Sequence, residues 1–391
     1  MSNQTTGVNK LLLLSTLLLM SFGIVVVYTA CTQHALRMGL APEYYLKKHC
    51  MMVLVTLLVM LFAAKIDYSV WKKFSRVIFA GGCALTVYCL IFGKAHLGAK
   101  RWVDFGFFQL QPSEVLKFGL IVMVAVKLSE AGSEIKSLKC SLIQPGIPFA
   151  IAAILLILQP NFSMLIMFAS IVVAMLLVAG VNFKHLLPAL GGGLLMGVIM
   201  LLVKSHSSKR IAAFLDPSMH QDSAYQAERS LEALGNGGFF GTGVGMGIQK
   251  LGYLPEAHKD VVYSVIGEEF GFIGTFCVLF VFGVLFYQGF EIARNSSTRF
   301  GKYMAVALTT SLFLNFIVHV CVSTGLIPTT GQPLPFLSFG GTNLIVSGLF
   351  IGVLLNISKS GTGKRIDEPY VGGEKTNVYT FGGFDITRAE S

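Results

Sequence analysis

Long runs of apolar residues, separated by short polar segments, dominate the chain from residue 11 to residue 356. Runs of this length are typical of helices that cross the roughly 30 Å hydrocarbon core of a membrane. We therefore predict an all-α polytopic membrane protein with both termini on one side. The ten predicted spans are 11–30, 50–64, 77–92, 112–128, 142–158, 163–179, 186–203, 268–290, 303–322 and 337–356.

The same pattern divides the chain into two parts. Residues 1–356 form the predicted membrane domain, with a long extracytoplasmic loop at about 204–260 between the seventh and eighth spans. Residues 357–391 are polar and contain glycine, which predicts a disordered cytoplasmic tail. The first span is too long for a signal-peptide core, and no small-residue cleavage site follows it, so we interpret it as a retained span.

Composition agrees with this class, because 54% of the residues are hydrophobic and 13% are charged, whereas soluble domains are about one quarter charged. The Lys and Arg bias of the loops places both termini in the cytoplasm. The net charge of +10 comes without a basic helix with interleaved aromatic residues, so we expect no nucleic acid partner.

Cys31 and Cys50 fall at the same end of the first two spans, and a disulfide between them is one option.

The predicted outer loops also carry many Lys and Arg residues. Long loops escape the charge bias, which accounts for 204–260 but not for Lys100 and Arg101 in a short loop. An outward-facing anionic ligand, such as a lipid diphosphate, also accounts for them. Charge alone leaves both explanations open.

Asp260 ends the sequence YLPEAHKD and lies just before the eighth span or in its first turn. A carboxylate there can cap the helix. Ser264, Glu268 and Gly271 follow on the same helical face. An acid at the depth of Glu268 is costly unless it pairs with a cation or has a function.

A second charged group stands at the start of the fourth span, in QPSEVLK. Glu114 and Lys117 are spaced i, i+3 and can pair on one helix face. A pair inside the membrane is costly to desolvate. It is either a structural ion pair or a group that holds a ligand or a catalytic acid.

Two segments predict irregular backbone. LGNGGFFGTGVGMG, residues 234–247, lacks the Lys-Ser/Thr end of a nucleotide phosphate loop. It is either a flexible series of turns or backbone that approaches a bulky lipid substrate. IPTTGQPLPFLSFGGTN, residues 327–343, breaks the backbone where the last span begins. Such backbone survives at membrane depth only inside protein or along a water-filled cavity, so we predict a cavity open toward the outer face.

These motifs together resemble the SEDS family of bacterial wall proteins (shape, elongation, division and sporulation). The resemblance runs through all ten predicted spans, and its main motifs are GAKRW with FQLQPSEVLK, YLPEAHKD with VIGEEFGFIG, and PLPFLSFGG. YLPEAH, IPTTG and the opening LLLSTLLLMSFGIVVVYTA are closer to the division branch than to the elongation branch. The chain departs from the family pattern at Asn161 (usually Asp), Arg229 (usually Gln), Lys259 (usually Thr), and Thr342 and Asn343 (usually two Ser).

The resemblance implies a glycosyltransferase that polymerises lipid II, an undecaprenyl-diphosphate disaccharide, outside the bacterial cytoplasmic (inner) membrane during division. The 4-hydroxyl of the acceptor sugar attacks the anomeric carbon of the growing chain, and lipid diphosphate leaves. Asp260 is the candidate general base or the ligand of a divalent cation, Mg²⁺ or Mn²⁺. Glu114 and Lys117 are further catalytic candidates. Candidate substrate-binding residues, most of them cations suited to the leaving diphosphate, are Lys100, Arg101, Arg210, Gln226, His258, Lys259 and Ser338.

The resemblance also implies partners: a single-span class B penicillin-binding transpeptidase, other division proteins and membrane lipids. Three alternatives stay open. Ten helices with broken segments and buried acids also suit a lipid II flippase, although the unusual groups lie mostly on the outer side. An elongation polymerase and a non-catalytic division scaffold are the others, and the scaffold predicts that Asp260→Ala keeps full function.

Overall fold

The structure is a computed structural model that describes residues 8–96, 99–106, 109–188, 191, 214, 221–249, 259–360, 378–381 and 384–387. Within these ranges, nine long helices form the membrane bundle, and a tenth, α7, is a polar helix that packs against α8 and α9. The helices are α1 (Lys10–Arg37), α2 (Tyr44–Lys65), α3 (Ser69–Phe92), α4 (Pro112–Ala131), α5 (Gln144–Leu158, after a π-helical turn at Lys139–Ile143), α6 (Phe162–Ala179), α7 (Gln221–Gly237), α8 (Val262–Arg294), α9 (Arg299–Ser323) and α10 (Gly341–Ser360).

The predicted all-α polytopic fold is confirmed. Eight of the described helices are long and apolar enough to span a membrane, and α4 joins them in the bundle. Nine predicted spans match described helices. The remaining prediction, 186–203, is helical at 183–188 but otherwise falls mostly outside the described residues, so the total of ten and the length of the outer loop stay predictions.

Some helix ends differ from the prediction. α8 begins at Val262 rather than at residue 268, because Glu268 and Glu269 are buried within the helix instead of marking its polar end. α10 begins at Gly341 rather than at 337, since the preceding residues form a turn. It also continues past 356 to Ser360, because Ile357 is buried and the Lys359 ammonium donates a hydrogen bond to the carbonyl of Ala64.

Short strands interrupt the helical pattern. β1 (Lys94–His96), β2 (Ala99–Asp104) and β3 (Gln109–Leu110) form an antiparallel sheet in the order β1-β2-β3 between α3 and α4. β4 (Val378–Phe381) and β5 (Phe384–Thr387) form a hairpin within the predicted tail, whereas residues 361–377 are not described. The strands are only two to six residues long, too short for an alternating pattern to predict them.

α4 lies at the centre of the bundle, where it contacts α3, α5, α6, α9 and α10. It is buried along almost its whole length, so its polar groups face protein rather than lipid. Cys31, which is buried, and Cys50, which is exposed, are both free cysteines. The disulfide considered for this pair is therefore wrong.

Candidate functional site

Asp260 lies in a turn that leads into α8. The N-cap of α8 is Val261, whose side chain makes no capping hydrogen bond, and Asp260 is the residue before it. The Asp260 carboxylate faces another segment, because its Oδ2 lies 3.6 Å from the position that a Cβ would take at Gly331. Gly331 has a φ of +70°, a left-handed backbone conformation that glycine adopts without strain because it has no Cβ. Asp260 therefore borders the segment 328–340, which we call the proline-rich loop.

The proline-rich loop is fixed to the backbone beside Asp260. Ser338 Oγ donates a hydrogen bond to the carbonyl of Lys259 (2.8 Å) and accepts one from the Leu334 amide (2.8 Å). Phe336 has φ 64, and its carbonyl packs so closely on Gly23 of α1 that a Cβ there would overlap it. The predicted broken backbone is confirmed, and protein buries it. The cavity open to the outer face depends partly on residues that are not described and stays a prediction.

His319 of α9 belongs to this arrangement and was not predicted from the sequence. It is 0% exposed. Its Nδ1 lies 2.9 Å from the carbonyl oxygen of Gln332 in the proline-rich loop, and its Nε2 lies 3.3 Å from the amide nitrogen of Tyr263 at the start of α8. A signal was present in the sequence, because Ser311, Asn315, His319 and Ser323 recur every four residues within an otherwise apolar span.

α7 is joined to α8 and α9 by a serine cluster. Ser230 of α7 shares a hydrogen bond with Ser264, and its hydroxyl donates to the carbonyl of Ser323 (2.9 Å). Arg229 pairs with Glu232 along α7, and this carboxylate raises the pKa of the guanidinium. Gln226 lies one turn before Ser230 on α7. The cluster brings α7 against the helix that follows Asp260.

The glycine-rich loop, residues 238–249, packs its backbone against α8. Amides of Thr242 and Gly243 donate to the carbonyls of Glu268 (2.9 Å) and Glu269 (3.1 Å). α8 breaks at Gly271, with φ 67 and ψ −164, and a side chain at Gly241 or Gly271 would overlap the facing backbone. The glycines thus allow a close approach of loop to helix, which neither sequence alternative had included. The kink also means that Gly271 does not continue the helical face that was predicted to carry Asp260, Ser264, Glu268 and Gly271.

Glu268 is buried beneath this loop. Its carboxylate accepts hydrogen bonds from the amides of Ile248 (2.8 Å) and Gln249 (3.1 Å). Within the described part of the chain its partners are thus backbone amides, and no Lys or Arg of that part pairs with it. Both of these hydrogen bonds go to one carboxylate oxygen, Oε1, and tie α8 to the end of the glycine-rich loop.

The predicted pairing of Glu114 with Lys117 is confirmed. Lys117 Nζ lies 2.9 Å from Glu114 Oε2, and the two side chains are 1% and 2% exposed. The ammonium also lies 5.7 Å above the ring of Phe350 in α10. Thr342, at the start of α10, accepts from the Gln111 amide, so the first turns of α4 and α10 are tied together. Both the ion pair and Asp260 consequently border α10 or the loop before it.

The other predicted substrate-binding residues are placed as follows. Lys100 Nζ donates to the carbonyl of Ile91 at the end of α3 (2.9 Å). Arg101 donates to the carbonyl of Pro160 in the turn between α5 and α6. Lys259 and Ser338 are brought together beside Asp260. Arg210 and His258 lie outside the described residues.

Among the described residues, no group of three or more His, Cys, Asp or Glu side chains could hold a metal ion. These residues therefore do not fit a cation held mainly by protein. A groove of about 610 Å³ lies between α1 and α8, with mostly apolar walls from Leu11 to Leu18 and from Phe280 to Gln288. It contains none of the predicted site residues.

Together these features define a multi-pass α-helical membrane protein with an aspartate, a buried ion pair and broken backbone where α4, α8 and α10 begin. A family model described as "Cell cycle protein", of the FtsW, RodA and SpoVE proteins, matches residues 9–363. The chain belongs to this family, which is the SEDS family that its motifs predicted.

Relatives cover nearly the whole chain. It is 36% identical over 353 residues to a probable peptidoglycan glycosyltransferase FtsW of Trichlorobacter lovleyi, covering 89% of this chain and 92% of that protein. It is 32% identical over 363 residues to stage V sporulation protein E of Bacillus subtilis, covering 92% and 99%. Several further relatives carry the FtsW name, in agreement with the predicted division branch.

Solved structures share the fold. A chain of a peptidoglycan synthase complex that coordinates polymerisation and crosslinking matches with a TM-score of 0.76 at 21% identity, covering 90% of this chain and 98% of that one. The rod shape determining protein RodA of Thermus thermophilus matches with a TM-score of 0.69 at 21% identity, covering 93% and 100%. At these identities the likeness establishes the architecture alone.

Proposed function

We propose that this chain is a peptidoglycan glycosyltransferase that polymerises lipid II into glycan strands and releases undecaprenyl diphosphate during septal wall synthesis. The names of its full-length relatives support the activity. The structural observation that carries the proposal is Asp260, held at the start of α8 with its carboxylate against the proline-rich loop. A carboxylate fixed at the outer end of a membrane bundle is suited to accept a proton from a bound sugar.

The reaction forms one bond and breaks one. The oxygen of the acceptor 4-hydroxyl bonds to the anomeric carbon of the growing chain, and its proton passes to Asp260. The bond from that carbon to the diphosphate oxygen breaks, and the electron pair leaves with undecaprenyl diphosphate. Cations that face the departing diphosphate stabilise the charge that develops on it. We assign this role to Lys100, Arg101, Lys117, Lys259 and Arg210, with further contacts from His258, Gln226 and Ser338 and with Glu114 as the partner of Lys117.

The setting of the reaction follows from the same proposal. The chain lies in the bacterial inner membrane, in contact with membrane lipids, and works beside a class B penicillin-binding transpeptidase and other division proteins. The fold shared with a chain of a peptidoglycan synthase complex supports that partnership. A divalent cation, Mg²⁺ or Mn²⁺, would take Asp260 as its protein ligand and its remaining ligands from the diphosphate.

The test is polymerisation of lipid II in liposomes that also hold the transpeptidase. Asp260→Ala and Asp260→Asn should lower the rate about 10²-fold or more, the size typical of a lost general base. Asp67→Asn is the matched control, because Asp67 also lies two residues before a helix, α3, where it accepts from the Ser69 amide. The control should polymerise like the wild type.

Other outcomes would decide differently. Full activity of Asp260→Asn at equal expression and thermal stability would exclude Asp260 as the base. A wild type that moves lipid II across the liposome membrane without polymerising it would establish the flippase instead. Loss of polymerisation in chelator, restored by Mg²⁺ or Mn²⁺, would support the cation.

A further inference from the structure

The segment that carries Asp260 is attached to the proline-rich loop on both sides. On one side, Ser338 donates to the carbonyl of Lys259, the residue before Asp260. On the other side, His319 connects the amide of Tyr263, three residues after Asp260, to the carbonyl of Gln332. Gln332 follows Gly331, which the Asp260 carboxylate faces. Two independent side chains thus hold the same five-residue segment against one loop.

The geometry fixes the protonation state of His319. The Gln332 carbonyl can only accept a hydrogen bond, so His319 Nδ1 carries the proton and donates it. The Tyr263 amide can only donate, so His319 Nε2 is the acceptor. A neutral imidazole satisfies both partners, and a second ring proton would face the amide hydrogen. The ring is fully buried.

The Tyr263 amide is one of the first amides of α8, which have no acceptor within their own helix. Backbone supplies most partners of buried amides, yet in this case a side chain from another helix does so. Loss of the imidazole leaves both a buried amide and a buried carbonyl without partners, and each is costly to leave so. The start of α8 and the proline-rich loop would then separate or shift relative to each other.

We propose that His319 is a positioning residue that sets the place of Asp260 by joining the start of α8 to the proline-rich loop. This inference rests on the proposed function of Asp260. His319 does not touch the reacting atoms in this scheme. Its removal therefore lowers kcat, since a misplacement of about 1 Å can cost about 10²-fold in rate. KM changes less than kcat, because most of the candidate cations that bind diphosphate, Lys100, Arg101 and Lys117 among them, lie on other elements, and only Lys259 lies in the held segment.

The experiment compares His319→Ala with His319→Asn. An asparagine side chain places its amide nitrogen near the position of Nδ1 and can still donate to Gln332, whereas alanine keeps neither contact. The matched control is His49→Ala. His49 is also a buried histidine beside this loop, against the ring of Phe339 (6.1 Å), but its ring nitrogens have no hydrogen-bond partner in the described part of the chain.

For lipid II polymerisation, His319→Ala should lower kcat about 30-fold or more with KM within about twofold. His319→Asn should recover most of that loss, and His49→Ala should stay within about threefold of the wild type. Equal losses for His319→Ala and His49→Ala, or a raised KM with normal kcat, would overturn the proposal. So would an asparagine variant as slow as the alanine variant.

Hydrogen exchange in detergent without substrate tests the contact separately from catalysis. His319→Ala should speed exchange at 261–265 and 331–338 and leave the other helices unchanged, while His319→Asn should keep protection at 331–338. Unchanged exchange in both segments of His319→Ala overturns the inference even when its polymerisation rate is lowered. If the wild type fails to polymerise, the proposed function fails, and the exchange result still decides whether His319 holds the segment. If His319→Ala does not fold, the asparagine variant decides alone.

Discussion

Two ion pairs at opposite ends of α4 share residue types, helix and spacing, yet differ in surroundings. Glu114 and Lys117 lie 2.9 Å apart and are at most 2% exposed. Lys127 and Glu130 lie 3.5 Å apart with side chains 30% and 53% exposed. The i, i+3 spacing predicts both pairs equally well. Their contribution to stability is set by exposure, because water screens the second pair, whereas protein encloses the first.

Glu114→Gln should have the largest effect on stability. It leaves the Lys117 ammonium buried without its counter-charge, and breaking a buried pair in this way costs about 3–5 kcal/mol. Thermal unfolding in detergent measures the loss, and polymerisation should fall with it at every temperature. A melting temperature within one degree of the wild type would show that water or another group reaches Lys117.

Replacing both members of the buried pair sharpens the comparison. Glu114→Leu with Lys117→Met removes the desolvation penalty together with the attraction, and such replacements are often neutral or stabilising by about 1–4 kcal/mol. We expect the melting temperature to return to at least the wild-type value while polymerisation stays lost. Recovered polymerisation would make the pair a structural element and remove both residues from the proposed chemistry.

Glu130→Gln should have the smallest effect. An exposed pair contributes about 0–1 kcal/mol, so stability should change by no more than about 0.5 kcal/mol and polymerisation should not change. Added salt should abolish any difference from the wild type. A loss of stability as large as that of Glu114→Gln would show that burial does not set the value of these pairs.

Local patterns in the sequence predicted the features that are set by residues close together in the chain, namely helices and pairs within one helix. The apolar runs located nine described helices, and the spacing of Glu114 and Lys117 gave their pairing. The seventh span and the residues Arg210 and His258 remain predictions because the structure does not describe them.

Contacts between segments that are far apart in the chain could not be predicted from local sequence patterns. The amides of the glycine-rich loop meet the carbonyls of α8 about 26 residues further on, as in the bond from Thr242 to Glu268. His319 meets residues on two other segments, and nothing near it in the chain indicates which. Periodicity gives the face of a helix but not the partner of that face. The short sheet before α4 was missed for the same reason, since pairing rather than pattern defines it.

α10 and the loop before it are synthesised after the other elements of the proposed site. Two elements close to the proposed chemistry come from α10 and the loop before it: the ring of Phe350 beneath Lys117, and the segment at Gly331 that faces Asp260. α4 enters the membrane long before them, carrying charges that disfavour a stable span on its own. A nascent chain that stops before α10 thus has its aspartate but no loop to hold it. A copy truncated before α10 should therefore fail to polymerise lipid II even though it carries Asp260, Glu114 and Lys117.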